Sequence, residues 1–207
     1  ANVVLIAKLL SSHKPKVIIG AESDFNAVWK ASKNLIDEFI LRSLSKFLYH
    51  RSDKIISVSK GVKNGLLAEL NLKESKINVI YNGVLTERHS KESSELPDHH
   101  WYADNKICLV CSIGRLSPEK GIYELVSAFR KALIVNNNLR LLIIGKGSEE
   151  NRINKFIRDN KIEEYIEIIE FKDNYYSYLD NSDIFVLNSF YEGMSNILAE
   201  AVTTNAK

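Results

Sequence analysis

Proline, cysteine, an excess of either charge and long apolar runs are all scarce in this chain. Three prolines and two cysteines occur in 207 residues, and 28 basic side chains face 26 acidic ones for a net charge of +2. So even a balance leaves no electrostatic footprint for nucleic acid, and no nucleic-acid partner is expected. Two cysteines cannot build a disulfide framework, which points to a reducing, cytosolic compartment. No apolar run approaches the ~20 residues that span a bilayer, and no signal-peptide pattern is present. The apolar and charged fractions, 45% and 26%, are those of a globular protein. Cys108 and Cys111 form a C-x-x-C, but both lie in the apolar run Ile107–Cys111 and supply only two of the four ligands of a structural zinc site, so they read as core thiols. His99 and His100 are adjacent, but no carboxylate or thiol stands near them at ligand spacing, and no metal is expected there. The chain begins at Ala1 without a methionine and ends soon after Glu200, so the expectation is a fragment cut at both ends.

What is present is an alternation of helical and strand patterns. Residues Asn2 to Ser12 are apolar at helical spacing, and Lys16–Gly20 reads as a short strand after Pro15. From Lys33 to Tyr49 apolar residues recur at Leu35, Ile36, Phe39, Ile40, Leu44, Phe47 and Leu48, with Lys30, Lys33, Arg42, Lys46 and Arg51 nearby. The expected reading is a helix packed on the core with a solvated basic face; the alternative lays it on an anionic membrane surface. Strands at Lys54–Val58 and Ile77–Tyr81 bracket a helix capped by Ser59. Between Leu85 and Asn105 the periodicity dissolves around Pro97, as in a linker. The rhythm then resumes with strands at 106–113, 139–144, 165–171 and 183–187 and helices at 121–135, 148–160 and 175–181. The fold class is therefore α/β, with two doubly wound parallel-sheet halves: residues 1–84, a linker over 85–105, and residues 106–207.

The chemistry concentrates in three loops that follow strands of the second half. In the last, the apolar run Ile184–Leu187 delivers Ser189-Phe190-Tyr191-Glu192-Gly193-Met194-Ser195, and Ser195 can cap a helix carrying Glu200. Free N–H groups at such a turn suit a phosphate, and the flanking carboxylates Glu192 and Glu200 suit sugar or ribose hydroxyls. The same spacing between Glu87 and Glu95, in the linker, serves as an internal control and reads as accidental. The first loop, Gly114-Arg115-Leu116-Ser117-Pro118-Glu119-Lys120-Gly121, places two cations at a strand's carboxyl end, where together they can neutralise a diphosphate. The second, Gly145-Lys146-Gly147-Ser148, is a partial dinucleotide fingerprint whose third glycine position is Glu150, with Glu170 about where a ribose-binding acid would stand; a nicotinamide-dependent dehydrogenase is a minor alternative. Paired carboxylates also raise a glycoside hydrolase, but residues eight apart in a continuous helix rise about 12 Å, beyond the spacing that chemistry needs.

Taken together, Gly114-Arg115-Leu116 with Glu119-Lys120-Gly121, Ile144-Gly145-Lys146-Gly147, and Ser189 through Glu200-Ala201 resemble the retaining glycosyltransferases of family four, which have the GT-B fold. Ile56-Ser57-Val58-Ser59 and Ile80-Tyr81-Asn82-Gly83-Val84 resemble the end of that family's first domain. The resemblance implies two Rossmann-like domains, here both incomplete, with the acceptor on the side of the first and a nucleotide-sugar site in the second. It implies transfer of a sugar, most often from UDP, to a glycan or lipid-linked acceptor in surface polysaccharide or glycoconjugate synthesis, in the cytoplasm or on the inner face of the membrane. Arg115 and Lys120 would hold the diphosphate, Glu192 the donor sugar, and Glu200 the ribose. Gly114, Gly145, Gly193, Met194 and Ser195 would line the donor site, and Phe171, Lys172 and Asp173 would lie near the base. Asp24, after Glu22 and Ser23, would belong to the acceptor side. No Asp-x-Asp pair occurs, consistent with a donor site that needs no metal or other cofactor. A non-catalytic nucleotide-binding or interaction fragment is the competing class.

Overall fold

The computed structural model describes residues 2–23, 25, 29, 34–83 and 96–206. Asp24, Lys30, Lys33, Glu87 and Glu95 lie outside the described residues. The chain forms two compact units: Ala1–Gly83 with Tyr191–Met194, and Val84–Phe190 with Ser195–Lys207.

In the first unit, helix α1 (Asn2–Leu10), strand β1 (Ile18–Ala21), helix α2 (Leu35–Tyr49), strand β2 (Lys54–Ser57), helix α3 (Lys60–Leu70) and strand β3 (Ile77–Val79) follow in order among the described residues. The sheet is parallel in the order β1-β2-β3, with Ile19 opposite Ile55 and Ile55 opposite Ile77. Local chemistry sets the helix ends. Asn34 accepts from the Asp37 amide at 2.7 Å to start α2, Ser59 accepts from the Val62 amide to start α3, and Asn71 ends α3 in the left-handed region. The core holds Ile19, Ile55, Ile77, Leu48, Tyr49, Val62, Leu66 and Leu70.

Helix α2 corrects the core-packed reading. It buries only Ser45, Leu48 and Tyr49 and leaves Leu35 82%, Ile36 71% and Phe39 71% exposed, with Ile40 and Phe47 more than half exposed. The exposure has two sources. Ile36 and Ile40 continue the i, i+4 row of Leu44 and Leu48, but among the described residues only the C-terminal half of that row is covered, and Phe39 stands on the far side of the helix.

The second unit has a parallel sheet in the order β6-β5-β4-β7, built from β4 (Cys108–Ile113), β5 (Leu139–Ile144), β6 (Ile166–Ile169) and β7 (Ile184–Phe185). Helices α4 (Ile122–Val135), α5 (Glu150–Asp159), α6 (Tyr175–Asp180) and α7 (Asn196–Ala201) connect or follow the strands. Alternation along β4 and β5 sorts the core into two layers. Val110, Leu141 and Ile143 pack with Val126 and Phe129 of α4 and Ile153 of α5. Leu109, Cys111, Ile113, Leu142 and Ile144 pack on the other side with Tyr178 and Leu179 of α6 and Ala201 of α7. A sheet covered on both faces explains the near-continuous apolar runs. Burial pushes the Cys111 thiol up to about 12, as a core thiol requires.

Two expectations change here. Residues 96–105 fold onto the second unit instead of trailing as linker: Trp101, in the turn His100–Ala103, is buried in its core, and Tyr102 donates to the Tyr178 carbonyl at 2.9 Å. The run Ile184–Leu187 is half-buried rather than fully buried, and only Ile184–Phe185 is strand, because β7 stands at the end of the sheet order and among the described residues pairs with β4 alone.

Candidate functional site

The sheet order reverses at β4. The chain steps from β4 to β5 and β6 in one direction, and β7 returns to the opposite side of β4. Such a reversal opens a crevice beyond the carboxyl ends of the strands, where α/β sheets take their ligands. The loops after β4 and β7 are the two that flank it.

The loop after β4 is hydrogen-bonded to both of its neighbours. Toward β5, the Leu116 amide donates to the Lys146 carbonyl at 3.1 Å, and the Glu149 amide donates to the Leu116 carbonyl at 2.8 Å. Toward β7, the Phe190 amide donates to the Glu119 carbonyl at 2.9 Å, and Asn188 Nδ2 donates to the Gly121 carbonyl at 2.7 Å. Glycines permit these approaches. A Cβ on Gly145 would lie 1.9 Å from the Gly114 oxygen, one on Gly147 would lie 2.4 Å from the Leu116 oxygen, and one on Gly121 would lie 2.5 Å from the Asn188 oxygen. Gly121 also takes φ 63, in the left-handed region, to launch α4. The two glycines of the partial dinucleotide fingerprint are thus accounted for by loop-on-loop packing, without a pyrophosphate.

Within this frame Gly114, Arg115, Lys120 and Gly145 share one edge of the second sheet. The Arg115 guanidinium is largely exposed, and its NH2 nitrogen lies 3.5 Å from Glu119 Oε1. Ser117 Oγ donates to the same Glu119 oxygen at 2.6 Å. Burial alone would raise the Glu119 carboxyl, but the Ser117 bond and the nearby Arg115 and Lys120 charges outweigh it and hold the carboxyl below its ordinary value. Glu119 therefore stays ionised and steadies Arg115, an aid that sequence reading passed over although its spacing four residues on was visible.

Glu200 sits in a different setting from the one its spacing suggested. It is 8% exposed, near the end of the six-residue α7, and Tyr175 donates its hydroxyl to Glu200 Oε2 at 3.0 Å. The Phe171 ring, half exposed, lies 5.2 Å from the Tyr175 ring. Phe171, Tyr175 and Glu200 so form one aromatic and carboxylate group, with Lys172 and Asp173 exposed beside it. Tyr175 was missed because nothing in the sequence ties it to a glutamate on another helix. Ser195 caps α7 by accepting from the Leu198 amide at 3.4 Å. With only six residues behind it, the dipole at this cap is short and makes no anion site by itself. Glu192, Gly193 and Met194 belong with the first unit. There the Met194 sulfur accepts from the Asn82 amide at 3.4 Å, and a Cβ on Gly193 would lie 1.9 Å from the Glu22 oxygen.

Comparison with known proteins agrees with this architecture. The sequence model of the glycosyl transferases group 1 family matches residues 99–205, and that of Glycosyltransferase Family 4 matches residues 2–88. The chain belongs to the glycosyl transferases group 1 family. It is 24% identical over 204 residues to an N-acetylgalactosamine-N,N'-diacetylbacillosaminyl-diphospho-undecaprenol 4-alpha-N-acetylgalactosaminyltransferase of Campylobacter jejuni, covering 97% of this chain and 52% of that protein. It is 26% identical over 182 residues to the capsular polysaccharide biosynthesis glycosyltransferase CapM of Staphylococcus aureus, covering 81% of this chain and 47% of that one. The chain thus spans about half the length of these curated relatives. Among solved structures, Anabaena Alr3699/HepE in complex with UDP and glucose superposes with a TM-score of 0.74 at 16% identity, over 97% of this chain and 55% of its own. The fold is GT-B. Among the described residues, no helix is long and apolar enough to cross a membrane.

Proposed function

We propose that the protein transfers a sugar from a nucleotide-diphosphate donor, a UDP-sugar, to a hydroxyl of a glycan or lipid-linked acceptor, with retention of configuration, in surface polysaccharide or glycoconjugate synthesis. The observation that carries this reading is the loop Gly114–Gly121, which is fastened on both sides at the reversal point of the sheet and presents Arg115 and Lys120 there. Sugar transfer breaks the bond between the anomeric carbon and the diphosphate, and charge grows on the departing oxygens. In this reading Arg115, offering a planar fork steadied by Glu119, and Lys120, a point charge, would neutralise it, with no metal ion or other cofactor invoked. Glu200 and Tyr175 offer acceptors for ribose hydroxyls, the Phe171 ring offers a face to the base, and Lys172 stands nearby. By the family resemblance, Glu192 is assigned to the hydroxyls of the donor sugar, and Gly114, Gly145, Gly193, Met194 and Ser195 to donor binding. Residues 1–84 are assigned to the acceptor side and 106–207 to the donor side. The relatives' names support the acceptor class, since one acts on a diphospho-undecaprenol-linked sugar and another serves capsular polysaccharide synthesis. Contact with the inner face of the membrane is supported by the exposed apolar side of α2, where Lys46 and Arg51 accompany Phe39, Ile40 and Phe47.

The test is the melting temperature with and without UDP, on this chain and on Arg115→Ala. A nucleotide at about 100 times its dissociation constant stabilises by about 2.7 kcal/mol, a rise of roughly 5–10 °C at this size. The rise is expected in the native chain and absent in the variant, whose exposed side chain can be removed without harming the core. Equal rises in both would overturn the assignment of Arg115. No rise with UDP, GDP or ADP would favour a chain that serves as an interaction module without a donor site.

A further inference from the structure

Away from the donor edge, the second unit gathers three metal-ligating side chains that the sequence keeps far apart. His99 and His100 stand at the start of the turn His100–Ala103, and Glu167 stands on β6, 68 positions beyond His99. His99 Nε2 lies 3.2 Å from Glu167 Oε2. One ligand atom from each of the three residues lies within 4.8 Å of the others, and the two imidazole rings stack with centroids 4.7 Å apart. Glu167 is the carboxylate whose absence from the local sequence argued against a metal.

Two imidazoles and one carboxylate are the donor set of a borderline divalent ion. Around tetrahedral zinc, with bonds of about 2.0–2.1 Å, neighbouring ligand atoms stand about 3.3 Å apart. The separation of His99 and Glu167 already matches that edge, and the exposed His100 ring needs only to turn toward it. We propose that His99, His100 and Glu167 bind a divalent transition-metal ion of the zinc class, with a fourth position open to water. Glu167 pairs in register with Leu142, two residues before β5 ends at Ile144. The ion therefore sits short of the carboxyl edge and takes no part in transfer. It fastens the segment leading into β4 to the outermost strand of the sheet.

Binding has a marker inside the fold. His99 Nδ1 accepts from the Trp101 amide at 3.3 Å, which leaves the ring proton on Nε2, pointing at Glu167. An ion at Nε2 moves that proton to Nδ1 and displaces the Trp101 amide. The Trp101 ring is buried and lies 5.0 Å from the His99 ring, so its emission follows the exchange.

The experiment is a titration of the metal-stripped chain with zinc chloride against a chromophoric chelator, read also by tryptophan emission and melting temperature. The expected result is one ion per chain with micromolar or tighter affinity, a raised melting temperature and a change in emission. Affinity should fall by at least about tenfold in both His100→Ala and Glu167→Gln. Both side chains are exposed, so the variants keep the fold, which circular dichroism checks. No binding at about 100 µM zinc, or binding that either variant leaves unchanged, overturns the site. A thiolate band on replacing zinc with cobalt would move the ion to the cysteines and overturn it as well.

Discussion

In the first unit the Asp53 amide donates to the Val17 carbonyl at 2.8 Å, and Asp53 Oδ2 accepts from the Val17 amide at 2.7 Å. In the second, the Asp183 amide donates to the Leu109 carbonyl at 3.0 Å, and Asp183 Oδ2 accepts from the Leu109 amide at 2.7 Å. The serine before each aspartate closes the preceding helix: Ser52 Oγ donates to Tyr49 O at 2.8 Å, and Ser182 Oγ donates to Tyr178 O at 2.6 Å. The same two-residue junction thus ends a helix and sets a parallel strand against its neighbour in both units. The helices before it fare differently. Helix α6 buries Tyr176, Ser177, Tyr178 and Leu179, whereas α2, more than twice as long, buries three residues and leaves an apolar face open. The serine bond is local, while the aspartate bonds reach a strand 36 and 74 positions away. The junction therefore needs a neighbouring strand as well as Ser-Asp, and the covering of a helix needs a packing partner that cannot be read from the helix itself.

The sharpest way to break that contrast is to truncate one side chain in each helix. Leu179→Ala removes a fully buried side chain and should cost about 2–5 kcal/mol. Phe39→Ala, at a position 71% exposed, should change stability by no more than about 0.5 kcal/mol. Urea unfolding of the two variants measures both. Comparable losses would mean that the outer face of α2 is covered in solution after all.

If the face is open because a lipid surface covers it, a smaller effect should appear in binding. Retention on vesicles rich in anionic phospholipid should weaken by about tenfold in a Phe39→Ser, Phe47→Ser double variant and should also weaken with added salt. The Arg51 guanidinium lies 4.4 Å over the Phe47 ring, so removing the ring also loosens a cation that would face the headgroups. Unchanged retention would detach α2 from the membrane reading and leave the donor-site assignment untouched.

Much of the fold was legible because the strands of a doubly covered sheet are short apolar runs and the helices carry side-chain caps such as Asn34 and Ser59. The loop Gly114–Gly121 was legible because glycine, arginine and lysine crowd it. Contacts that pair distant residues were not legible. Nothing near Glu200 announces Tyr175, nothing near His99 announces Glu167, and the fit of Gly147 against the Leu116 carbonyl needs the fold to exist first. Trp101 and Tyr102 did carry a signal, since two large aromatics in a polar stretch are out of place in a linker.

The smallest expected effect separates the two aspartates themselves. Asp53 has a partner beyond the shared pattern, because Lys8 of α1 donates to the same Oδ2 that takes the Val17 amide. The Lys8 bond first, and the Val17 amide second, hold the Asp53 carboxyl below its ordinary value. The ionised form is thus the one that folding favours. Its contribution is fully present above the unfolded value near 3.9 and is lost as the pH falls through the lower folded value. With its side chain 41% exposed, the pair is screened by solvent and the effect is small. Many carboxylates titrate in the same window, so the informative quantity is a difference. The melting temperature of the native chain should fall more steeply than that of Asp53→Asn below about pH 4, and salt should narrow the gap. Lys8→Ala should move the native curve toward that of the Asn variant. Identical slopes in all three proteins would show that the Lys8 pair does not help to hold α1, which then rests on its buried Leu5 and the Asn2 bond to Ser45, and that the two junctions are equivalent.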